Sequence, residues 1–174
     1  MLNIAPFRQT DDSRCGPACI KMILAYYGIE VTEDEICERC NWSFDLGCTD
    51  YQMHDAFKYY GLDCIMYEEA SLDEIDFWLG KQVPVIVDWF SPGVDLKLHD
   101  MPNGHSSIVI ALGENFIYLM DPEFGGVRTI RRDDFMRVWF DWRNTPYIQR
   151  CEDLILRQVM IALPKRLKHL KELI

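Results

Sequence analysis

The chain has 174 residues, of which 49% are hydrophobic and 26% charged, and this composition excludes a disordered or low-complexity chain. Its length suits one domain with a hydrophobic core of its own. The 28 acidic and 18 basic residues give a formal net charge of −10, which argues against nucleic acid as a partner.

The N-terminal residues show no basic head followed by an apolar stretch, and no apolar run reaches the length needed to span a membrane. We therefore expect a cytoplasmic protein without a transmembrane segment. In that compartment the seven cysteines are expected to be free thiols rather than a disulfide framework.

The first half of the chain is predicted to be mainly helical. Pro17 suits the first turn of a helix that begins near Cys15, and Gly28 suits the end of that helix. Three further helices are predicted at 32–40, 51–60 and 71–80. Capping boxes open the first and the last of them, formed by Thr32 with Glu35 and by Ser71 with Glu74.

The second half is predicted to form strands. Apolar and β-branched runs alternate there with turn residues, and Gly113-Glu114-Asn115 is typical of a hairpin. Helices followed by antiparallel strands indicate an α+β fold, with a helical lobe packed on an antiparallel sheet. The predicted strands are 84–90, 105–112, 116–120, 127–130 and 158–163, with a helix at 132–140. We expect a single domain, 1–174, made of a helical lobe (about 1–82), a β lobe (about 83–163) and a C-terminal amphipathic helix (about 164–174).

Cys15 is the candidate nucleophile because it lies where a helix begins. The free N–H groups and the positive end of the helix dipole favour a thiolate at that position, and the thiolate is the reactive form. Gly16 would allow the backbone to approach a substrate closely. Cys19, one turn further along the apolar face, is better explained as a buried core residue.

A cysteine nucleophile needs a base and a group that orients the base. Of the four histidines, His105 follows Gly104 and opens a strand. If the next hairpin turns at Gly113, His105 and Asp121 become cross-strand neighbours, with Cβ atoms roughly 5 Å apart in an ideal pair. Their proximity is the prediction, since the loop length can shift the register by a residue or two. Of the other histidines, His54 is predicted to lie on a helix, His99 in a long loop and His169 in the basic tail.

Acyl transfer also needs hydrogen-bond donors for the oxyanion. The backbone N–H of Cys15 is one candidate. The side-chain amide of Gln9, six residues upstream, could supply another.

The segment from Gln9 to Ala18, with Cys15-Gly16-Pro17 and the following Tyr27-Gly28, resembles the opening motif of the C39 peptidases. Gly104-His105, Asp121-Pro122 and Asp134-Phe135 resemble the later motifs of the same family. The family includes domains that process bacteriocins by cleaving leader peptides after a double glycine. The resemblance reaches to about Phe140.

This resemblance implies a papain-like fold and a cysteine peptidase that acts on a peptide or protein substrate. It implies Cys15 as nucleophile, His105 as base, Asp121 as the orienting residue and Gln9 at the oxyanion hole. It implies no cofactor and no metal. The chain contains neither a membrane span nor a Gly-x-x-x-x-Gly-Lys-Ser/Thr loop, so it is similar to free-standing members, for which double-glycine specificity is an extrapolation.

Three other interpretations stay open from the sequence. The first is a structural zinc site, although the cysteine spacings are irregular and lack a second matched pair. The second is a peptide-binding module of the same fold that does not cleave. The third is transpeptidation or deamidation by the same cysteine and histidine. The cysteines of the zinc interpretation are Cys37, Cys40, Cys48 and Cys64.

The C-terminal ten residues carry Lys165, Arg166, Lys168, His169 and Lys171. A helix here would place its leucines on one face and its basic groups on the others. Docking on the domain is one interpretation, and a weak contact with a membrane or another protein is the alternative. The apolar face would consist of Leu163, Leu167, Leu170 and Ile174.

Overall fold

The computed structural model describes residues 1–91, 103–142 and 150–173. The α-helices in this part of the chain are α1 (Cys15–Tyr26), α2 (Glu33–Arg39), α3 (Asp50–Tyr59), α4 (Leu72–Gly80) and α5 (Arg132–Val138). The strands are β1 (Leu62–Tyr67), β2 (Val85–Ser91), β3 (Asn103–Leu112), β4 (Phe116–Asp121), β5 (Gly126–Arg131), β6 (Phe140–Trp142), β7 (Leu154–Leu156) and β8 (Val159–Pro164). Two 3-10 helices, Cys151–Asp153 and Lys165–Leu173, complete the described elements.

Six strands form an antiparallel sheet in the order β1-β8-β2-β3-β4-β5, and β6 pairs with β7 in a separate ribbon. The predicted α+β class, with helices packed on an antiparallel sheet, is confirmed. The sheet has one strand that was not predicted, since β1 comes from the half of the chain assigned to helices.

The helix starts follow the capping chemistry of the sequence. Thr32 accepts a hydrogen bond from the Glu35 N–H while the Glu35 carboxylate accepts one from the Thr32 N–H, and Ser71 and Glu74 form the same box. A third box was not predicted. Thr49 and Gln52 form it, and α3 starts at Asp50, one residue before the position expected from the apolar pattern.

The core lies between the sheet and the helices that cover it. Helix α1 packs against β3, so the element that begins with Cys15 rests on the strand that carries His105. Met53 of α3 fills the space beside Gly16, where an added Cβ would come within 2.8 Å of Met53 Sδ. The close approach that Gly16 permits in this structure is therefore the packing of α3 on α1.

The C-terminal residues 165–173 form a 3-10 helix that contacts β1 and β8. Leu170 is buried, and Lys171 Nζ lies 2.6 Å from the Asp63 carboxylate of β1. Leu163 belongs to β8, so the predicted apolar helix face is divided between a strand and a helix, and Ile174 lies outside the described residues. No helix in the described segments is both long and apolar enough to cross a bilayer.

Candidate active site

Cys15 is the first residue of α1. The N–H groups of the first helical turn have no partner within the helix, and their positive partial charge lies at the thiol. Cys15 is half-buried, whereas Cys19 is fully buried and directs its thiol at the Ser106 carbonyl, 3.4 Å away. Burial raises the pKa of Cys19 well above its usual value. The two cysteines of α1 thus differ as the sequence suggested.

Arg14, the residue before Cys15, is held by contacts with α2. Arg14 Nη1 lies 3.2 Å from the Glu33 carboxylate and 2.7 Å from that of Asp34. Its guanidinium also lies over the Trp42 ring, 4.5 Å from the centroid, and Thr10 hydrogen-bonds to Glu33. These contacts hold the segment that precedes Cys15, and none of them was predicted.

His105 and Asp121 are brought together at the start of β3 and the end of β4. His105 Nε2 lies 3.1 Å from Asp121 Oδ1, and both residues are buried. The ladder pairs Ile108 with Met120, so the register differs by two residues from the one assumed in the sequence. The two side chains meet as diagonal neighbours, which long side chains can do.

The Asp121 carboxylate is held by several donors. The backbone N–H groups of Glu123 and Phe124 donate to Oδ1 at 2.9 and 3.1 Å, while Arg128 Nη1 lies 3.1 Å from Oδ2. The turn that supplies the N–H groups ends at Gly125, whose φ of +69° is readily adopted by glycine. With this support the carboxylate is fixed in one orientation towards His105.

Arg128 also contacts Ser91 and Trp89 of β2. Its Nη1 donates to Ser91 Oγ at 2.9 Å, and its guanidinium lies 5.4 Å from the centroid of the Trp89 ring. Trp89 in turn meets the His105 ring edge-on, with centroids 6.0 Å apart. Arg128 was missed from the sequence because a single arginine in a short strand carries no motif.

The charges of Cys15 and His105 support each other. Partial burial raises the pKa of the Cys15 thiol, but the hydrogen bond and charge of His105 and the hydrogen bonds from Ser106 outweigh this and bring it below its usual value of 9.0. Burial likewise lowers the pKa of His105, yet its hydrogen bonds to Asp121 and Cys15 raise it to about 10. Because Nε2 faces Asp121, Nδ1 is left for the thiol. The site therefore favours a thiolate beside an imidazolium.

Asp121 is suited to remain ionised beside this pair. Burial raises its pKa, but the hydrogen bond and charge of His105, followed by the charge of Arg128, bring it below its ordinary value. A fixed anion at Nε2 holds the imidazole in one tautomer and stabilises its protonated form.

Gln9 lies near the hairpin that carries Asp121, since its backbone N–H donates to the Pro122 carbonyl at 2.9 Å. Its side-chain Nε2 donates to the Asp11 and Asp12 carbonyls at 2.9 and 3.1 Å. Its Oε1 is buried and has no hydrogen-bond partner among the residues that the structure describes. Both amide hydrogens are thus used within the loop before Cys15.

The remaining histidines belong to other segments of the chain. His54 pairs with Asp55 on α3, with Nδ1 and Oδ1 3.0 Å apart. His169 belongs to the C-terminal 3-10 helix. His99 lies outside the described residues.

Metal-ligand side chains come together in one group within the described ranges, namely His105, Asp121 and Glu123. Arg128 already forms ion pairs with both of these carboxylates, so the cluster is balanced by a protein cation. The cysteines of the zinc interpretation do not form a group of three in the part of the chain that is described, although the Cys40 and Cys48 thiols are hydrogen-bonded to each other.

A sequence model of the peptidase C39 family matches residues 3–142. The lactococcin-G-processing and transport ATP-binding protein LagD of Lactococcus lactis subsp. lactis is 26% identical over 132 residues. The matched region is 75% of this chain but only 17% of that protein, so the chain spans a small part of the length of this curated relative.

Solved structures share the fold at low identity. The peptidase domain of Streptococcus ComA, a bi-functional ABC transporter, has a TM-score of 0.70 at 17% identity, over 94% of this chain and 100% of that one. A double glycine motif protease from an AMS/PCAT transporter, in complex with the leader peptide, has a TM-score of 0.66 at 20% identity, over 94% and 93% of the two chains. A C39-like peptidase from Bacillus anthracis has a TM-score of 0.64 at 15% identity, over 92% and 95%. Because the family model covers most of the sequence, this chain belongs to the peptidase C39 family.

Proposed function

We propose that this chain is a cysteine peptidase that hydrolyses a peptide bond with Cys15 as nucleophile, His105 as acid and base, and Asp121 as the orienting residue. The observation that carries the proposal is the continuous chain of contacts from the Cys15 thiol through His105 to Asp121. A thiolate paired with a buried, oriented imidazolium is the arrangement that acyl transfer by cysteine requires.

In the first step the Cys15 sulfur attacks the carbonyl carbon of the substrate. The C–N bond breaks as the His105 imidazolium gives its proton to the leaving amine, and a thioester remains on Cys15. In the second step His105 takes a proton from water, the resulting hydroxide attacks the thioester, and the acid product leaves. Asp121 keeps its charge throughout and stabilises the imidazolium.

The oxyanion needs donors near the start of α1. The Cys15 backbone N–H is free of an intrahelical partner by its position in the first turn. Gln9 is the second donor that we propose. For this role its Nε2 must leave the Asp11 or Asp12 carbonyl when the substrate binds.

We propose a leader peptide ending in a double glycine as the substrate. Support comes from a structural relative that is a double glycine motif protease in complex with the leader peptide and from a curated relative that processes lactococcin G.

The test is incubation of the full chain with synthetic leader peptides that contain either Gly-Gly or Ala-Ala before the scissile bond. We expect one cut, after the second glycine, with the mass of water added across the two products. Cys15→Ala should leave the peptide intact. Equal cleavage by both proteins, or cleavage by neither, would reject the proposed peptidase activity for these substrates. Products that carry an added amine instead of water would indicate transpeptidation.

A further inference from the structure

A second polar pair lies next to Cys15, on strands β2 and β3. Asp88 and Ser106 face each other in the ladder, and Ser106 Oγ lies 2.6 Å from Asp88 Oδ1. Gln158 Nε2 donates to the other carboxylate oxygen, Oδ2, at 3.2 Å. All three side chains are buried. The proposed reaction steps make no use of them.

Ser106 connects this pair to the nucleophile. Against the effect of burial, the pKa of the Cys15 thiol is lowered by His105 and then by hydrogen bonds of the Ser106 backbone N–H and hydroxyl group. The Ser106 carbonyl lies 3.4 Å from the thiol of Cys19, one turn further along α1, so this part of β3 rests against the helix that begins with Cys15. Two consecutive residues of β3 therefore act on the Cys15 thiol.

The Ser106 hydroxyl has only one hydrogen, and two acceptors compete for it. If Asp88 is ionised, the hydrogen points to the carboxylate. If Asp88 carries a proton, the carboxyl O–H can donate to Ser106 Oγ, and the Ser106 hydrogen is then available to the Cys15 sulfur. The protonation state of Asp88 thus decides which way the hydroxyl group points.

The surroundings of Asp88 favour the protonated form. The side chain is only 3% exposed, and none of the ion pairs in the described parts of the chain involves it. Burial is the largest cause that raises its pKa, and the charges of Asp50 on α3, Asp141 on β6 and Cys15 on α1 add to it. A buried carboxyl group that faces anions keeps its proton.

The other groups around Asp88 do not offset this. Burial raises the pKa of Asp141 itself to about 7. Cys19 on α1 also feels the charge of Asp88, and burial keeps that thiol protonated. Ser106 of β3 and Gln158, which precedes β8, are neutral.

We propose that Asp88 and Ser106 form a second support for the Cys15 thiolate, in which the protonated Asp88 carboxyl donates to Ser106 Oγ and the Ser106 hydroxyl donates to Cys15 Sγ. Ser106 touches the reacting atom, and Asp88 is a positioning residue that acts through it. No proton is transferred, since each group keeps its own hydrogen. This inference rests on the proposed role of Cys15 as nucleophile.

The test is the pH dependence of alkylation of Cys15 by iodoacetamide in the full chain, followed by peptide mapping. The midpoint of the profile reports the pKa of the thiol and requires no substrate. Ser106→Ala should raise this midpoint by about one pH unit, which makes alkylation about tenfold slower below the midpoint. Ser106→Thr keeps the hydroxyl group and should restore the wild-type midpoint.

Asp88→Asn examines the protonation state of Asp88. The amide can donate to Ser106 Oγ as a protonated carboxyl does, so the midpoint should stay close to that of the wild type. If Asp88 were ionised, the same change would remove a negative charge beside the thiolate and lower the midpoint. This variant keeps the shape of the side chain and gives a decision even if Ser106→Ala does not fold.

Ser71→Ala is the matched control, because Ser71 Oγ donates to the Glu74 carboxylate at 2.8 Å in an exposed capping box on α4. Its midpoint should equal that of the wild type. An unchanged midpoint in folded Ser106→Ala, or a lowered midpoint in Asp88→Asn, would overturn the inference and leave Cys15 as nucleophile. Failure of the wild type to alkylate at Cys15 would instead count against the proposed function.

Discussion

At the scale of single residues, Asp121 controls the charge of His105. Asp121 accepts from two backbone N–H groups and pairs with both His105 and Arg128. These contacts keep the carboxylate ionised, and the carboxylate in turn is the largest cause that raises the pKa of His105. Removing its charge should therefore change the protonation of His105 while the hydrogen-bond geometry is kept.

We predict that Asp121→Asn lowers the pKa of His105 from about 10 towards its usual value of 6.5. A group with a raised pKa is charged below that pKa and loses its charge as the pH rises through it. The alkaline limb of the profile of kcat/KM against pH should therefore move to lower pH. At pH 8 the variant should be at least about tenfold slower than the wild type.

The control for this variant is Asp134→Asn, which removes an exposed aspartate that pairs with Arg137 at 3.0 Å on α5. Its pH profile should match that of the wild type. An alkaline limb that stays in place in Asp121→Asn would show that Asp121 does not hold the proton on His105.

Part of the site could be predicted from single residues, and part could not. The helix start at Cys15 could be predicted because it has a local signal, and the proximity of His105 and Asp121 because a hairpin brings residues of nearby sequence together. Arg128 and Ser106 have no such signal. Their contacts depend on the register of the sheet and on the packing of α1. Neither of these can be predicted from the spacing of residues in the sequence.

At the scale of elements, α3 packs against the first turn of α1 beside Cys15. Met53 of α3 is buried, and its sulfur lies 2.8 Å from the position that a Cβ on Gly16 would occupy. A Cβ at residue 16 therefore fits only if the end of the Met53 side chain moves. This is a packing requirement, and it differs from the close approach of substrate that the sequence suggested.

We predict that Gly16→Ala lowers the free energy of unfolding by about 1–3 kcal/mol, because the added methyl group forces Met53 out of its packed position. Urea denaturation monitored by circular dichroism measures this change. Gly80→Ala at the end of α4 is the matched control, since no atom of the described residues lies within 4 Å of its added Cβ and its φ is not positive. A Gly16→Ala variant as stable as Gly80→Ala would contradict the packing role.

The elements show where sequence patterns are sufficient. The capping boxes at Thr32 and Ser71 were recognised because both partners lie within four residues. Strand β1 was missed because its six residues follow a helix closely and alternate only weakly between buried and exposed positions. It exists because β8, nearly a hundred residues later, pairs with it.

At the scale of the whole molecule, the sheet joins distant parts of the chain around the site. Strand β8 lies between β1 and β2, and the C-terminal 3-10 helix then contacts β1 and β8, with Leu170 buried and Lys171 paired with Asp63. The chain has a net charge of −10, but its C-terminal segment is basic. Two lysines of that segment, Lys168 and Lys171, pair with Asp63 of β1. The order of the strands could not be read from the sequence, since pairing between distant segments leaves no local pattern.

The seven cysteines can be compared with one another in exposure and in pKa. Burial raises the pKa of Cys19, Cys37 and Cys64, and the hydrogen bond with Cys40 does so for Cys48. The pKa of Cys40 is lowered by its hydrogen bond to Cys48, but its side chain is only 1% exposed. Cys151 is exposed and lies far along the chain from the site. Cys15 alone combines partial exposure with a lowered pKa in the described parts of the chain.

The most direct test of the Cys15–His105 pair is competitive labelling of the native chain with less than one equivalent of iodoacetamide at pH 7, followed by peptide mapping. Because the thiolate forms as the pH rises through the lowered pKa of Cys15, this residue should carry most of the label. The exposed Cys151 should be labelled later, and His105→Ala should remove the preference for Cys15. Preferential labelling of Cys151 or Cys40 in the wild type would contradict the account.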